Sequence, residues 1–288
     1  MKRIALGFRL GVRLGVRLGI AVTVALTTGA VGVPASATGA ASSAAASSAA
    51  TRWLQPTRTI TPADGCVRLT PGINGIKVRM VQRRLGMGSR WETMDSATIQ
   101  RVKTFQGRHG LRRSGVVGRR TWNAMGFGEG FCLDRWQAEP ALPLRATRRQ
   151  RIRTMIRFAM GYRGAEYVWG GAGRPRYGVD CSGLVLQSLY RAGLDPQPIS
   201  IDKHVLPRYR TSKQLYQHDR LRHLPLSRKR RGDLIFYRKD STGDINHVAI
   251  YLGHGRLVEA KGDDVHVAQV VRHHPDQTIA ATVVRPFN

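Results

Sequence analysis

The chain has 288 residues, with 47 Lys and Arg against 18 Asp and Glu, a formal charge of +29. With 42% of residues hydrophobic, a natively disordered chain is excluded and there is material for two small cores. A surplus of this size calls for anionic partners, and charge by itself does not choose among nucleic acid, acidic lipid and an acidic polymer outside the cell.

Lys2, Arg3, Arg9, Arg13 and Arg17 precede an apolar, uncharged run from Leu18 to Val33, and Ala35-Ser36-Ala37 forms an A-x-A cleavage site. Residues 1–37 therefore read as a secretory signal peptide, not a stable membrane anchor, since the run lies near the lower limit of about 17 residues for a span. Only five of the 47 basic residues leave with it, so the basicity belongs to the exported protein. Residues 38–65 open almost entirely in Ala, Ser, Gly and Thr, the composition of a flexible linker. Export bears on the three cysteines: Cys66 and Cys132 bracket a compact segment and are expected to pair, which leaves Cys181 free.

Between them, residues 66–132 carry three short helical patterns. Val78, Val81 and Leu85 mark the first, Ile99, Val102 and Phe105 the second with Asp95 as its N-cap, and Trp122 and Met125 the third. A core of under 70 residues is marginal, so a bridge closing nearly the whole segment should add a few kcal/mol, on the order of 2–4. The stretches GIKVRMVQRRLGM, ATIQRVKTFQGRHGL and GVVGRRTW resemble the three helices of the peptidoglycan-binding domain 1 family. That resemblance implies a module that holds a partner domain against peptidoglycan.

Residues 133–147 form a linker, extended by Pro140 and Pro143, and a basic helix is expected from Arg148. The chemistry lies beyond it. In YVWGGAGRPRYGVDCSGLVLQSLYRAG a glycine-rich loop gives way to a helix with Leu184, Leu186 and Leu189 on its buried face, so Cys181 opens a helix. Unpaired first-turn amides and the positive end of the dipole favour a thiolate, and the thiol pKa is expected to fall if the Asp180 carboxylate turns away from the sulfur. The same amides suit the oxyanion of a tetrahedral intermediate.

A thiol needs a base, and GDLIFYRKDSTGDINHVAIYLGHGRLVEA reads as strands with His247 heading one of them. In that strand 247, 249 and 251 share a polar face and Val248, Ile250 and Leu252 a buried one. With a three-residue turn at Gly253-His254-Gly255, Leu252 pairs with Arg256 and Glu259 stands opposite Ala249, diagonal to His247. Such diagonals are about 7–8 Å apart, within reach of two long side chains, so Glu259 can orient the imidazole; an even turn would put it on the wrong face.

Trp169-Gly170-Gly171, Asp180-Cys181-Ser182-Gly183, Gly232-Asp233-Leu234 and His247-Val248-Ala249-Ile250-Tyr251 together resemble the NlpC/P60 family of cell-wall cysteine peptidases, over residues 148–288. The resemblance implies an α+β, papain-like catalytic domain behind the small three-helix module, in which a helix carrying the nucleophile packs on an antiparallel sheet carrying the base. It makes Cys181 the nucleophile, His247 the base and Glu259 the third member, where many relatives carry His, and a carboxylate there favours a Cys⁻/His⁺ pair at rest in an open groove. It further implies Asp180 and Ser182 as stem-peptide contacts, Tyr167 or Trp169 on the oxyanion side, and a γ-D-glutamyl to meso-diaminopimelate bond as the target. An N-acetylmuramoyl-L-alanine amidase and a non-catalytic wall-binding adaptor are the alternatives.

Nine His include His273-His274, but no His-x-x-x-His helix or Cys cluster accompanies them, so neither metal nor cofactor is expected. Arg228-Lys229-Arg230-Arg231 lacks interleaved aromatics, and export argues against nucleic acid. The expected partners are peptidoglycan and an anionic wall polymer, met by a secreted, wall-associated monomer.

Overall fold

The computed structural model describes residues 66–88, 92–197, 199–201 and 210–288; the expected signal peptide (1–37) and flexible linker (38–65) lie outside the described residues. Among the described residues no helix is long and apolar enough to cross a membrane.

The first module is built from α1 (Ile76–Arg84), α2 (Ser96–Arg108) and α3 (Arg119–Ala124). Val78, Val81, Val102, Trp122 and Met125 form its core, while Leu85, Ile99 and Phe105 are only partly buried against it. Asp95 caps α2, accepting from the Thr98 amide at 2.7 Å. Cys66 and Cys132 are bonded as expected. Beside the bridge, the buried Lys77 ammonium donates to the carbonyls of Val67 and Phe131, pairs with Asp134 at 2.9 Å and lies 4.0 Å from the centre of the Phe131 ring. Both ends of the module are thereby gathered on one buried cation.

The catalytic-type module has α4 (Arg148–Met160), α5 (Cys181–Arg191) and the short α6 (Ser212–Tyr216). Thr147 and Gln150 close a capping box that starts α4 at the expected residue. The sheet runs β1 (Arg222–Pro225), β8 (Thr282–Arg285), β2 (Leu234–Lys239), β3 (Ile245–Gly253), β4 (Arg256–Lys261) and β5 (Asp264–Gln269), each pair antiparallel. Two further strands, β6 (His273–His274) and β7 (Gln277–Ile279), pair with each other, and β7 also pairs with β2. This is the α+β arrangement the resemblance implied.

Two expectations change in detail. Helix α5 is buried along its whole length up to Tyr190, because it is covered beyond its Leu184-Leu186-Leu189 face. The buried Gln187 accepts from the Ala138 amide at 2.8 Å and donates to the carbonyls of Trp136 and Ala172, so the 133–147 connection straps across the helix. Strand β3 does not divide into a polar and an apolar side. Val248, Ile250 and Leu252 pack toward α4 and α5, and Ala249 and Tyr251 join Ile235, Tyr237, Leu257 and Val283 in a second core behind the sheet. Burial on both faces fits a central strand, where each large apolar side chain contributes roughly 1.5–3 kcal/mol.

The first module is seated on the loop that precedes Cys181. Arg79 and Arg83 of α1 pair with Glu166, and Arg79 donates to the Tyr167 carbonyl at 3.2 Å. Glycine is demanded on the loop side: a Cβ on Gly170 would lie 2.1 Å from Asn74 Oδ1, and one on Gly173 would lie 2.5 Å from Ile76 Cδ1. Farther along, the Tyr177 hydroxyl donates to Glu129 at 3.0 Å.

Candidate active site

Cys181 is the first residue of α5, and its cap is Asp180, whose Oδ1 accepts from the Gly183 amide at 2.6 Å. A Cβ on Gly183 would stand 2.2 Å from the Gly171 carbonyl oxygen, so glycine there lets the loop close over the first turn. The β3–β4 ladder stops at Ile250↔Val258. Beyond that point the backbone of Val248, the residue after His247, hydrogen-bonds the Cys181 sulfur. The nucleophile candidate thus meets the base-bearing strand within one residue of the base.

His247 Nε2 and Glu259 Oε2 are 2.5 Å apart, with both side chains buried. An ionised carboxylate only accepts, so Nε2 donates and Nδ1 keeps the lone pair. Burial works to raise the Glu259 pKa, but the hydrogen bond and charge of His247, aided by Lys261 and His266, outweigh it and hold the carboxyl below its ordinary value. The Tyr237 ring flanks the imidazole at 5.8 Å between centroids.

The turn that delivers Glu259 differs from the expected one. Gly253 pairs directly with Arg256, leaving a two-residue turn of His254 and Gly255, and the register shifts between Tyr251 and Gly253. His254 at φ 51° and Gly255 at φ 70° give it type I′ geometry. Leu252 is the bulged residue, and the extra residue restores the register of an odd loop, so Tyr251 still pairs with Leu257 and Glu259 still reaches His247.

Two electrostatic expectations are corrected. The thiol is not lowered: burial first, and the Asp180 charge second, push it up to about 12, against backbone hydrogen bonds from Val248 and Ser182 and the charge of Arg210. A Cys⁻/His⁺ pair at rest does not fit that environment. Nor is the groove open at the sulfur, since Cys181 is only 7% exposed.

The expected peptide contacts are also buried, with Asp180 and Ser182 each 1% exposed. Asp180 accepts from Gly170 N at 3.1 Å, Ser182 Oγ at 3.1 Å, and both terminal nitrogens of Arg210 at 2.8 and 2.9 Å. Tyr167 sits close enough to Cys181 and Asp180 for burial and then their charges to push its phenol upward, which keeps it a neutral donor. Trp169 stays 41% exposed on the same loop.

Two participants escaped the sequence reading, and a third, Asp233, was named there without a role. Arg210 was signalled by the Thr211-x-x-Gln214 capping box, which fixes the residue before it; the Gln214 side chain takes the Arg210 amide at 2.5 Å. His266 pairs with Glu259 across the β4–β5 hairpin, 3.6 Å from its Oε1, and binds Asp264 at 2.9 Å; counting across Gly262-Asp263 as a two-residue turn finds it. Asp233, at the Gly-Asp-Leu motif, accepts two bonds from Arg285 at 2.8 Å and ties β2 to β8. Among the described residues no group of three His, Cys, Asp or Glu could hold a metal ion.

The putative peptidoglycan binding domain family matches residues 75–125, and the NlpC/P60 family matches residues 164–284. The peptidoglycan endopeptidase RipB of Mycobacterium tuberculosis is 34% identical over 129 residues, 41% of this chain and 46% of RipB. RipA of the same organism, also a peptidoglycan endopeptidase, is 31% identical over 222 residues, 72% of this chain and 40% of RipA. The chain therefore spans less than half the length of either. A solved P60 domain of an M. avium subspecies paratuberculosis antigen is 30% identical, covering 49% of this chain and 98% of that one, with a TM-score of 0.38. Through residues 164–284 the chain belongs to the NlpC/P60 family, with a putative peptidoglycan binding domain ahead of it at residues 75–125.

Proposed function

We propose that the protein is an exported cell-wall hydrolase, a cysteine endopeptidase acting on peptidoglycan stem peptides, with residues 66–132 as the docking module, 133–147 as its strap and 148–288 as the catalytic module. The observation that carries the reading is the buried His247–Glu259 pair at 2.5 Å beside a strand amide that bonds the Cys181 sulfur.

In this reading Nδ1 of His247 takes the thiol proton as the sulfur attacks the peptide carbonyl. Coupling deprotonation to attack suits a thiol that rests neutral. The oxyanion gathers on first-turn amides of α5, with the neutral Tyr167 phenol as a further donor. The C–N bond then breaks and the imidazolium returns its proton to the leaving amine. Water, deprotonated by His247, hydrolyses the thioester and frees the thiol. Glu259 holds Nε2–H throughout. The bond chosen, following the family resemblance, is γ-D-glutamyl to meso-diaminopimelate.

Mass spectrometry of muropeptides after incubation with the exported protein tests this. Products split at that bond, absent with Cys181→Ala, are expected; amidase products would move the scissile bond, and an undigested sacculus would remove the hydrolase reading. One observation favours the adaptor instead, the 7% exposure of a thiol raised to about 12. An adaptor would bind sacculi equally well before and after Cys181→Ala and release nothing.

A further inference from the structure

Arg210 is fully buried, and no step of the mechanism above uses it. Its Nη1 meets Asp180 Oδ2 at 2.8 Å and its Nη2 meets Oδ1 at 2.9 Å, the parallel fork of a bidentate pair. Nη2 also donates to the Gly171 carbonyl at 2.6 Å, on the glycine loop that passes over the first turn of α5. The fit is close: a Cβ on Gly183 would lie 2.4 Å from Nη2. Arg210 is itself anchored, since its backbone amide is held by Gln214 and its neighbour Thr211 caps α6. One guanidinium thus joins three elements, the Gly170-Gly171 loop, the α5 cap and the start of α6.

The Asp180 charge stands one residue from the sulfur, and the fork from Arg210 offsets it. A carboxylate there opposes thiolate formation, and the α5 N-terminus would be spent on offsetting it. We infer that Arg210 is a positioning residue of the active site, holding the Asp180 carboxylate on the helix cap and balancing its charge so that Cys181 can ionise when attack requires it. This rests on the proposed role of Cys181 as nucleophile. Among the described residues, the charged and titratable groups around the sulfur are Asp180 on its own helix, Arg210 from the α6 side, Tyr167 from the loop with Glu92 of the first module behind it, and His247 with Glu259 from the sheet. Among the described residues Arg210 meets Asp180 directly, and Lys is a poor substitute because it lacks the fork.

The test is the pH profile of Cys181 alkylation by iodoacetamide between about pH 6 and 10, read by mass spectrometry on the exported chain, in which Cys181 is the free cysteine. Arg210→Met is expected to slow alkylation at fixed pH by about tenfold or more and to move the profile upward, the equivalent of about one pKa unit. The neutral pair Asp180→Asn with Arg210→Met is expected to recover most of the lost reactivity, and Arg210→Lys to fall between. A wild-type profile in Arg210→Met overturns the inference. So does a double variant no more reactive than the single one, which would mark Arg210 as scaffold alone. Thermal melting of each variant identifies loss of fold, and Arg210→Lys keeps the charge question open to measurement if Arg210→Met does not fold. Because alkylation needs no turnover, an inactive wild-type protein with these profiles would sink the hydrolase reading and leave the role of Arg210 standing.

Discussion

Glu259 presses on two observables at once, the orientation of His247 and the acid limit of the fold. Glu259→Gln keeps the shape but lets Nε2 accept from the amide as readily as donate, so the imidazole tautomer is no longer imposed. Turnover of muropeptides should fall about 10²–10⁴-fold with KM little changed, as steady-state kinetics will read. The carboxyl lies below its ordinary 4.5 in the folded protein. Its contribution to stability is therefore complete above pH 4.5 and is lost as pH falls through the lower, folded value. Denaturant midpoints should decline below that pH, and the decline should be shallower in Glu259→Gln. His266, 3.6 Å from the other carboxylate oxygen, adds to the hold on Glu259.

The elements that position the site obey local rules that compete, and magnitudes decide. At Gly183, alanine would improve helix propensity by up to about 1 kcal/mol. It would also drive a Cβ to 2.2 Å from the Gly171 carbonyl and 2.4 Å from the Arg210 guanidinium. Backbone cannot yield as a side chain does, so overlap wins: Gly183→Ala should lower the melting temperature by several degrees, an overpacking cost of about 1–3 kcal/mol, and sharply reduce turnover. The elements themselves were largely legible. Helical spacing located all three helices of the first module, Asp95 announced its cap, and the strand pattern with the hairpin count placed His247 on β3 and Glu259 on β4. The β3–β4 turn shows the limit of such counting: a type I′ turn plus a bulge at Leu252 and a three-residue loop yield the same downstream register. The capping box after Arg210 was legible, but the contact of Arg210 with Asp180 and the burial of Cys181 were not, because both depend on loops brought together from distant parts of the chain. The fall expected for the thiol failed for the same reason, as a dipole argument made on one helix omits the elements packed over it.

For the whole molecule, the first module and the loop before Cys181 form one fitted surface. The ion pairs of Glu166 with Arg79 and Arg83 involve a half-exposed carboxylate and contribute little, about 0–1 kcal/mol. The close approach of Asn74 to Gly170 and of Ile76 to Gly173 is more exacting. Gly170 also has φ +76°, so Gly170→Ala carries two penalties. The backbone part is about 1–2 kcal/mol, and the overlap with Asn74 adds to it. Adding Asn74→Gly should return only the overlap part, and calorimetry of the single and double variants measures the division. Strengthened salt should affect this interface far less than either substitution.

Where the β3–β4 ladder ends, the backbone of Val248 hydrogen-bonds the Cys181 sulfur. That hydrogen bond makes the Val248 amide a natural spectroscopic reporter: in a ¹⁵N-labelled sample its resonance should travel with thiol ionisation, oxidation or acylation, and follow the chemistry of Cys181 without an attached label.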